Sequence, residues 1–120
     1  MNQSSTPIDQ SKLDELRMLS DEETDLLSEL IDIFMDDTPG RLVDLAAAVG
    51  QGDPEGTMQN AHALKSSCAQ MGAIQLSEYC RQLEAMGRAG DVTNAQPLVA
   101  AAQSEFERVR PALLSEKSGA

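Results

Sequence analysis

Residues 60–88, which read NAHALKSSCAQMGAIQLSEYCRQLEAMGR, predict two helices joined by a tight turn at Gly72. On a helix that turns about 100° per residue, small and apolar side chains gather on one side of the first helix. These are Thr57, Ala61, Leu64, Cys68 and Met71. The second helix repeats the pattern with Leu76, Tyr79, Cys80, Leu83 and Met86. Because the turn is short, we expect the two helices to pack as antiparallel neighbours.

The one histidine of the chain, His62, lies on the other side of the first helix. It points about 140° away from the centre of the apolar stripe, towards solvent. Lys65 and Ser66 follow one turn later on the same side. A lone histidine on a helix is usually a surface residue without a role. An unperturbed imidazole, however, has a pKa of about 6.5 and is a good nucleophile. Beside a cation and a small residue, it would suit the receipt of a phosphoryl group.

The stretch resembles the signature of histidine phosphotransfer (HPt) domains. That signature reads H-x-L-K-G-S/A-S/A, then a glycine ten residues after the histidine, and a leucine and C-x-x-L-E on the next helix. The matching residues are His62, Leu64, Lys65, Ser67, Gly72, Leu76, Cys80, Leu83 and Glu84. Ser66 departs from the pattern, because the family usually has glycine there. Serine is the next smallest polar choice, so access to His62 should survive.

The resemblance implies a phosphorelay carrier that accepts a phosphoryl group on His62 from the aspartate of a receiver domain and passes it to another receiver. Lys65 and Arg88 would neutralise charge on the moving group. Any Mg²⁺ would belong to the receiver, so the chain itself needs no cofactor or metal. No Walker loop, kinase glycine loop or serine triad supports independent catalysis. The rival is a helical adaptor that binds a receiver or kinase without carrying phosphate.

The partner-binding surface is predicted around the histidine and on the early helices. Small side chains would leave room for a receiver to approach, and apolar side chains would contact it. The candidates are Met58, Ser66, Ala69, Gly72, Glu84, Leu13, Leu16 and Ile31.

Composition limits the other possibilities. The 120 residues carry a net charge of −11, which argues against nucleic acid and anionic membranes as partners. Neither a membrane-spanning run nor a signal peptide is present in the sequence, so we expect a cytoplasmic protein and, most simply, a monomer. Cys68 and Cys80 fall on core faces, which favours buried thiols over a disulfide between helices.

The rest of the chain predicts further helices. Residues 1–10 form a flexible lead, and Asp9 or Ser11 caps a short first helix. Ser20 and Glu23 form a capping box for a helix that ends near Asp36.

Later helix starts are marked by capping residues and prolines. Thr38-Pro39 starts a third helix, and Asp53-Pro54 starts the histidine helix. Asn94 caps the last helix, which contains Pro97 in its first turn and Pro111 near its end.

Together these segments predict an all-α fold. Residues 11–115 would form an antiparallel four-helix bundle with one or more short N-terminal helices, and residues 116–120 a frayed tail. The resemblance to HPt domains implies that the four bundle helices are the second, fourth, fifth and sixth segments or their equivalents, with the short first helix and the third segment covering the ends of the bundle.

Overall fold

The computed structural model describes residues 7–21 and 25–117, which form five helices. These are α1 (Gln10–Met18), α2 (Leu26–Gly50), α3 (Pro54–Gln70), α4 (Ile74–Arg88) and α5 (Gln96–Leu114). Helices α2 to α5 pack in a closed ring, in which each contacts its two neighbours, and α1 packs on α2. The all-α bundle with a short N-terminal helix is therefore confirmed. No helix in the described ranges has both the length and the apolar character that a bilayer crossing requires.

Aspartate side chains start three of the helices. Asp9, Asp25 and Asp53 accept hydrogen bonds from the backbone N–H groups of Ser11, Ser28 and Gly56, which satisfies donors that a helix start leaves free. The predicted caps at Asp9 and Asp53 are confirmed. The capping box at Ser20 is wrong, since the N-cap of α2 is Asp25, five residues later, and the Ser20 hydroxyl instead accepts from the N–H of Leu26. Glu23 lies outside the described residues.

Helix α2 runs unbroken through Thr38-Pro39, so the predicted start of a third helix there is wrong. Proline costs about 3 kcal/mol inside a helix because it lacks an N–H and its ring clashes with a carbonyl. The burial of one face of α2 outweighs this cost, since each fully buried large apolar side chain contributes about 1.5–3 kcal/mol. That face comprises Leu27, Ile31, Phe34, Thr38, Leu42, Leu45 and Val49. The third segment is thus part of the bundle and does not cover its end.

The last helix differs from prediction only at its start. Its N-cap is Ala95, which makes no side-chain hydrogen bond, so the predicted cap at Asn94 is wrong. Pro97 occupies the first turn as predicted, and the helix continues past Pro111 to Leu114. Cys68 and Cys80 are both free and fully buried, as predicted. A hydrogen bond with Cys80, and then burial, raises the pKa of the Cys68 thiol, which keeps it protonated.

The end of the predicted lead packs against the turn between α3 and α4. Ile8 is buried, and the Asp9 N–H donates to the Gly72 carbonyl at 2.7 Å. Gly72 has a φ of +74°, and a Cβ there would lie 2.8 Å from the Asp9 carbonyl oxygen, so the position requires glycine. Gly72 is buried and serves this turn, which corrects its assignment to the partner-binding surface.

Residues of the predicted tail also contact the bundle. Glu116 forms an ion pair with Arg17 of α1, and the Lys117 Nζ lies 2.5 Å from the Oδ1 of Asp32 in α2. Residues 1–6 and 118–120, the other parts of the predicted lead and tail, lie outside the described residues.

Candidate functional site

His62 faces solvent from the middle of α3. The opposite face of the helix is buried in the core through Thr57, Ala61, Leu64 and Cys68. That packing fixes the rotation of α3 and leaves 62% of the histidine side chain exposed. The predicted outward orientation of the ring is therefore what the structure shows.

A buried carboxylate lies beneath the ring. Glu84 of α4 is only 4% exposed, and its Oε2 lies 2.9 Å from the His62 Nδ1. The same oxygen lies 2.9 Å from an Arg88 guanidinium nitrogen, and Oε1 lies 2.6 Å from the Lys65 ammonium. Glu84 thus holds together all three residues that the sequence assigned to the chemistry. Because it faces inward to these partners, its assignment to a partner-binding surface is corrected.

The charge state of Glu84 determines where the imidazole carries its hydrogen. The hydrogen bond with Lys65, followed by those with His62 and Arg88, lowers the pKa of Glu84 to about 2, although burial opposes this. At neutral pH the carboxylate is therefore ionised and can only accept hydrogen bonds. It follows that the His62 Nδ1–H donates to Glu84 and that Nε2 carries the free lone pair.

Cationic groups border the histidine at the surface. An open groove between α3 and α4 is lined by Met58, Gln59, His62, Glu84 and Arg88. The Arg88 side chain is 65% exposed and Lys65 is 33% exposed, so both can turn from Glu84 towards an anion at the ring. The site can accept a small anion beside a nitrogen nucleophile.

Two contacts that sequence reasoning missed hold α3 and α4 together at this site. A Cβ at Gly87 would lie 2.6 Å from the Pro54 carbonyl oxygen and 2.7 Å from the Met58 backbone nitrogen, so the two backbones approach directly there. At the other end, the Ser77 hydroxyl donates to the Lys65 carbonyl oxygen at 3.1 Å. Glu84 and Arg88 are four residues apart on the predicted helix, a spacing that brings side chains together. Their contact could therefore have been predicted from the sequence.

The predicted partner-binding residues divide into two groups. Met58 and Ala69 are half-buried and Ser66 is exposed, all on α3, which carries His62. Leu13 and Ile31 are fully buried, which corrects their assignment to the partner-binding surface, whereas Leu16 is half-buried and packs against the core. A short amphipathic helix such as α1 needs its leucines to attach it to the bundle, and this accounts for the error.

Comparison with known proteins agrees with the geometry. Residues 29–112 match the model of the Hpt domain family, which is described as "Hpt domain". The fold is similar to the crystal structure of histidine-containing phosphotransfer protein B (HptB) from Pseudomonas aeruginosa PAO1. The two chains are 32% identical, the TM-score is 0.83, and the match covers 92% of this chain and 93% of that one. No curated protein gave a significant sequence match. The chain therefore belongs to the Hpt domain family of histidine phosphotransfer proteins.

Proposed function

We propose that His62 is the residue that carries the phosphoryl group, and that it receives the group from, and returns it to, aspartates of receiver domains. The observation that carries this proposal is the 2.9 Å hydrogen bond between the His62 Nδ1 and Glu84, which leaves the exposed Nε2 as the nucleophile. The side chain is 62% exposed, so the aspartyl phosphate of another protein can reach it.

The transfer is a displacement at phosphorus. The Nε2 lone pair forms a bond to phosphorus while the P–O bond to the aspartate breaks, and the aspartate leaves as a carboxylate. Charge on the moving group is neutralised by Lys65 and Arg88, which lie on either side of Glu84. The reverse reaction delivers the group to a second receiver through the same contacts.

The chain acts as a carrier, and a receiver supplies the remaining chemistry. The sequence contains no nucleotide-binding loop, which fits a protein without independent kinase activity. Mg²⁺ belongs to the aspartate pocket of the receiver, and the carrier requires no cofactor of its own. We further propose that the protein works as a cytoplasmic monomer.

The receiver docks on the surface that surrounds His62. Ser66 is exposed and small, and Ala69 is half-buried, so neither obstructs an approach along α3. Next to them, a groove between α2 and α3 contains Gln70 and Ile33, and the Ile33 side chain is 61% exposed. An exposed isoleucine beside small side chains provides apolar area for a partner to bury.

Incubation with a phosphorylated receiver domain tests the proposal. The intact chain should gain a phosphate that is labile in acid and stable in base, and His62→Gln should gain none while its circular dichroism spectrum is unchanged. A helical adaptor would bind the receiver without gaining phosphate. Label that persists in His62→Gln, or binding without label in the intact chain, would refute the assignment.

A further inference from the structure

We propose that Gln59 is a phosphoryl-binding residue. When His62 carries a phosphoryl group on Nε2, the side-chain amide nitrogen of Gln59 donates a hydrogen bond to one of the phosphoryl oxygens. This inference rests on the proposed function, because it concerns the group that His62 carries. It is carried by the groove that the ring and Gln59 line together, and it adds a neutral donor from α3 to the two cations of the site.

The ring of His62 lies over the turn of α3 that contains Gln59. Side chains on an α-helix lean towards its N-terminus, so a histidine covers the turn before its own Cα. The groove agrees with this direction, because the two α3 residues that line it with the histidine, Met58 and Gln59, both belong to that earlier turn. Gln59 lies three residues before His62, a spacing at which helical side chains are neighbours.

The residues that line the groove offer few hydrogen-bond donors to a phosphoryl oxygen. The Met58 side chain has none, and the ionised Glu84 carboxylate only accepts. The Nδ1–H of the ring already donates to Glu84. Two of the lining residues can therefore donate to the phosphoryl group, and they are Arg88 from α4 and Gln59 from α3.

Gln59 can turn to the phosphoryl group without disturbing the buried carboxylate. Lys65 and Arg88 both pair with Glu84, which is 4% exposed, so each cation that turns away removes a partner from a buried charge. The Gln59 Nε2 instead donates to the Glu55 Oε2 at 3.3 Å, in an exposed contact between successive turns of α3. Such surface pairs contribute little to stability, and water can solvate the Glu55 carboxylate once Gln59 has turned.

A neutral amide is also the group that the charges at this position favour. A phosphoryl group brings up to about two negative charges. Gln59 is exposed and uncharged, whereas a carboxylate of the same size would repel that group. Replacement by glutamate therefore tests the same contact as removal of the side chain, with a larger effect expected.

The first test is NMR of the intact chain labelled with ¹⁵N-glutamine. Phosphoramidate, a small phosphoryl donor, phosphorylates His62 without a receiver present. The side-chain amide signals of Gln59, assigned by their loss in Gln59→Ala, should shift on phosphorylation, and those of Gln82 should not. Gln82 is the matched control, because its Nε2 donates to a glutamate four residues earlier on α4, as that of Gln59 does on α3. Unchanged Gln59 signals would overturn the inference.

The second test is the equilibrium of transfer from a phosphorylated receiver, measured at concentrations where the two proteins are dissociated. Under that condition the ratio of phosphorylated carrier to phosphorylated receiver does not depend on how tightly they dock. A hydrogen bond to the phosphoryl group favours the phosphorylated carrier, so Gln59→Ala should lower this ratio by about 3- to 10-fold. Gln59→Glu should lower it further, and Gln82→Ala should leave it unchanged.

The two proposals fail in different ways. An equal ratio for Gln59→Ala and the intact chain would overturn the role of Gln59 and leave the carrier function in place. Failure of the intact chain to gain phosphate from any receiver would instead refute the proposed function. Circular dichroism and urea unfolding of each variant should match the intact chain, because Gln59 lies on the exposed face of α3.

Discussion

Replacement of Gly87 by alanine should separate α3 from α4 at the phosphoryl site. The added Cβ would lie 2.6 Å from the Pro54 carbonyl oxygen, 2.7 Å from the Met58 nitrogen and 2.9 Å from the Met58 Cβ. Two of these three atoms belong to the backbone of α3, so no side-chain rotation relieves the clash. The helices must move apart, and they are neighbours along their whole hairpin.

The size of the effect follows from two opposing terms. Overpacking a well-packed contact costs about 1–3 kcal/mol, whereas alanine in place of glycine inside a helix gains about 0.5–1 kcal/mol. We therefore expect Gly87→Ala to lower the free energy of unfolding by about 1–2 kcal/mol. For a domain of this size that corresponds to a fall in Tm of about 3–8 °C.

Gly40→Ala provides the matched control. Gly40 lies inside α2, is exposed, and would place its Cβ with nothing within 4 Å. The Gly40→Ala variant should show only the gain in helix propensity, which raises the free energy of unfolding by about 0.5–1 kcal/mol. Urea unfolding followed by circular dichroism measures both variants. If Gly87→Ala were as stable as Gly40→Ala, the direct approach of the two backbones would not be tight, and the argument for how Glu84 is placed under His62 would fail.

Three further predictions concern the site and α2. Lys65→Ala should slow phosphoryl transfer about 10- to 100-fold in single-turnover assays. This effect is smaller than the loss of a hydrogen-bond donor in an enclosed site, because the Lys65 side chain is 33% exposed. An unchanged rate would exclude Lys65 from the chemistry. Pro39→Ala should restore a backbone hydrogen-bond donor inside α2 and raise the free energy of unfolding, measured by urea titration, by about 1–3 kcal/mol. An unchanged free energy of unfolding would mean that the helix accommodates the proline without cost. The lowered pKa of Glu84, about 2 against 4.5, stabilises the fold above about pH 4.5, and this stability is lost as the pH falls towards 2. Its size is about 1–3 kcal/mol after screening, and Glu84→Gln should weaken this acid dependence of unfolding.

The sequence predicted the bundle and the histidine because both depend on local patterns. Helical periodicity set the buried faces of α3 and α4, and the rotation of α3 followed from that face alone. The interior of α2 was harder to predict, since Thr38-Pro39 matches a helix start in its local chemistry. The apolar stripe from Leu27 to Val49, however, keeps its phase across the proline. That continuity over six turns was the signal for one long helix.

The role of Glu84 could not be predicted from its own helix. Its contacts with His62 and Lys65 cross from α4 to α3, and they depend on how closely the two helices approach. The distance between the two helices is set at Gly87, where no side chain separates their backbones. The sequence shows the glycine, but it does not show which backbone packs against it. Leu13 and Ile31 illustrate the converse problem, because an apolar residue on a helix gives the same pattern whether it faces the core or a partner.

The contact between the N-terminal segment and the α3–α4 turn bears on where the boundaries of an isolated domain should be drawn. The family match begins at residue 29, yet Ile8 is inserted into the core and the Asp9 N–H completes the hydrogen bonding of the Gly72 carbonyl. A fragment that begins at the family boundary would lack α1 and would expose the part of the bundle against which Leu13 packs. It would also lose the hydrogen bond that the Asp9 N–H donates to the turn between α3 and α4. Chimeras and minimal versions of this carrier should therefore retain the chain from Pro7 onward.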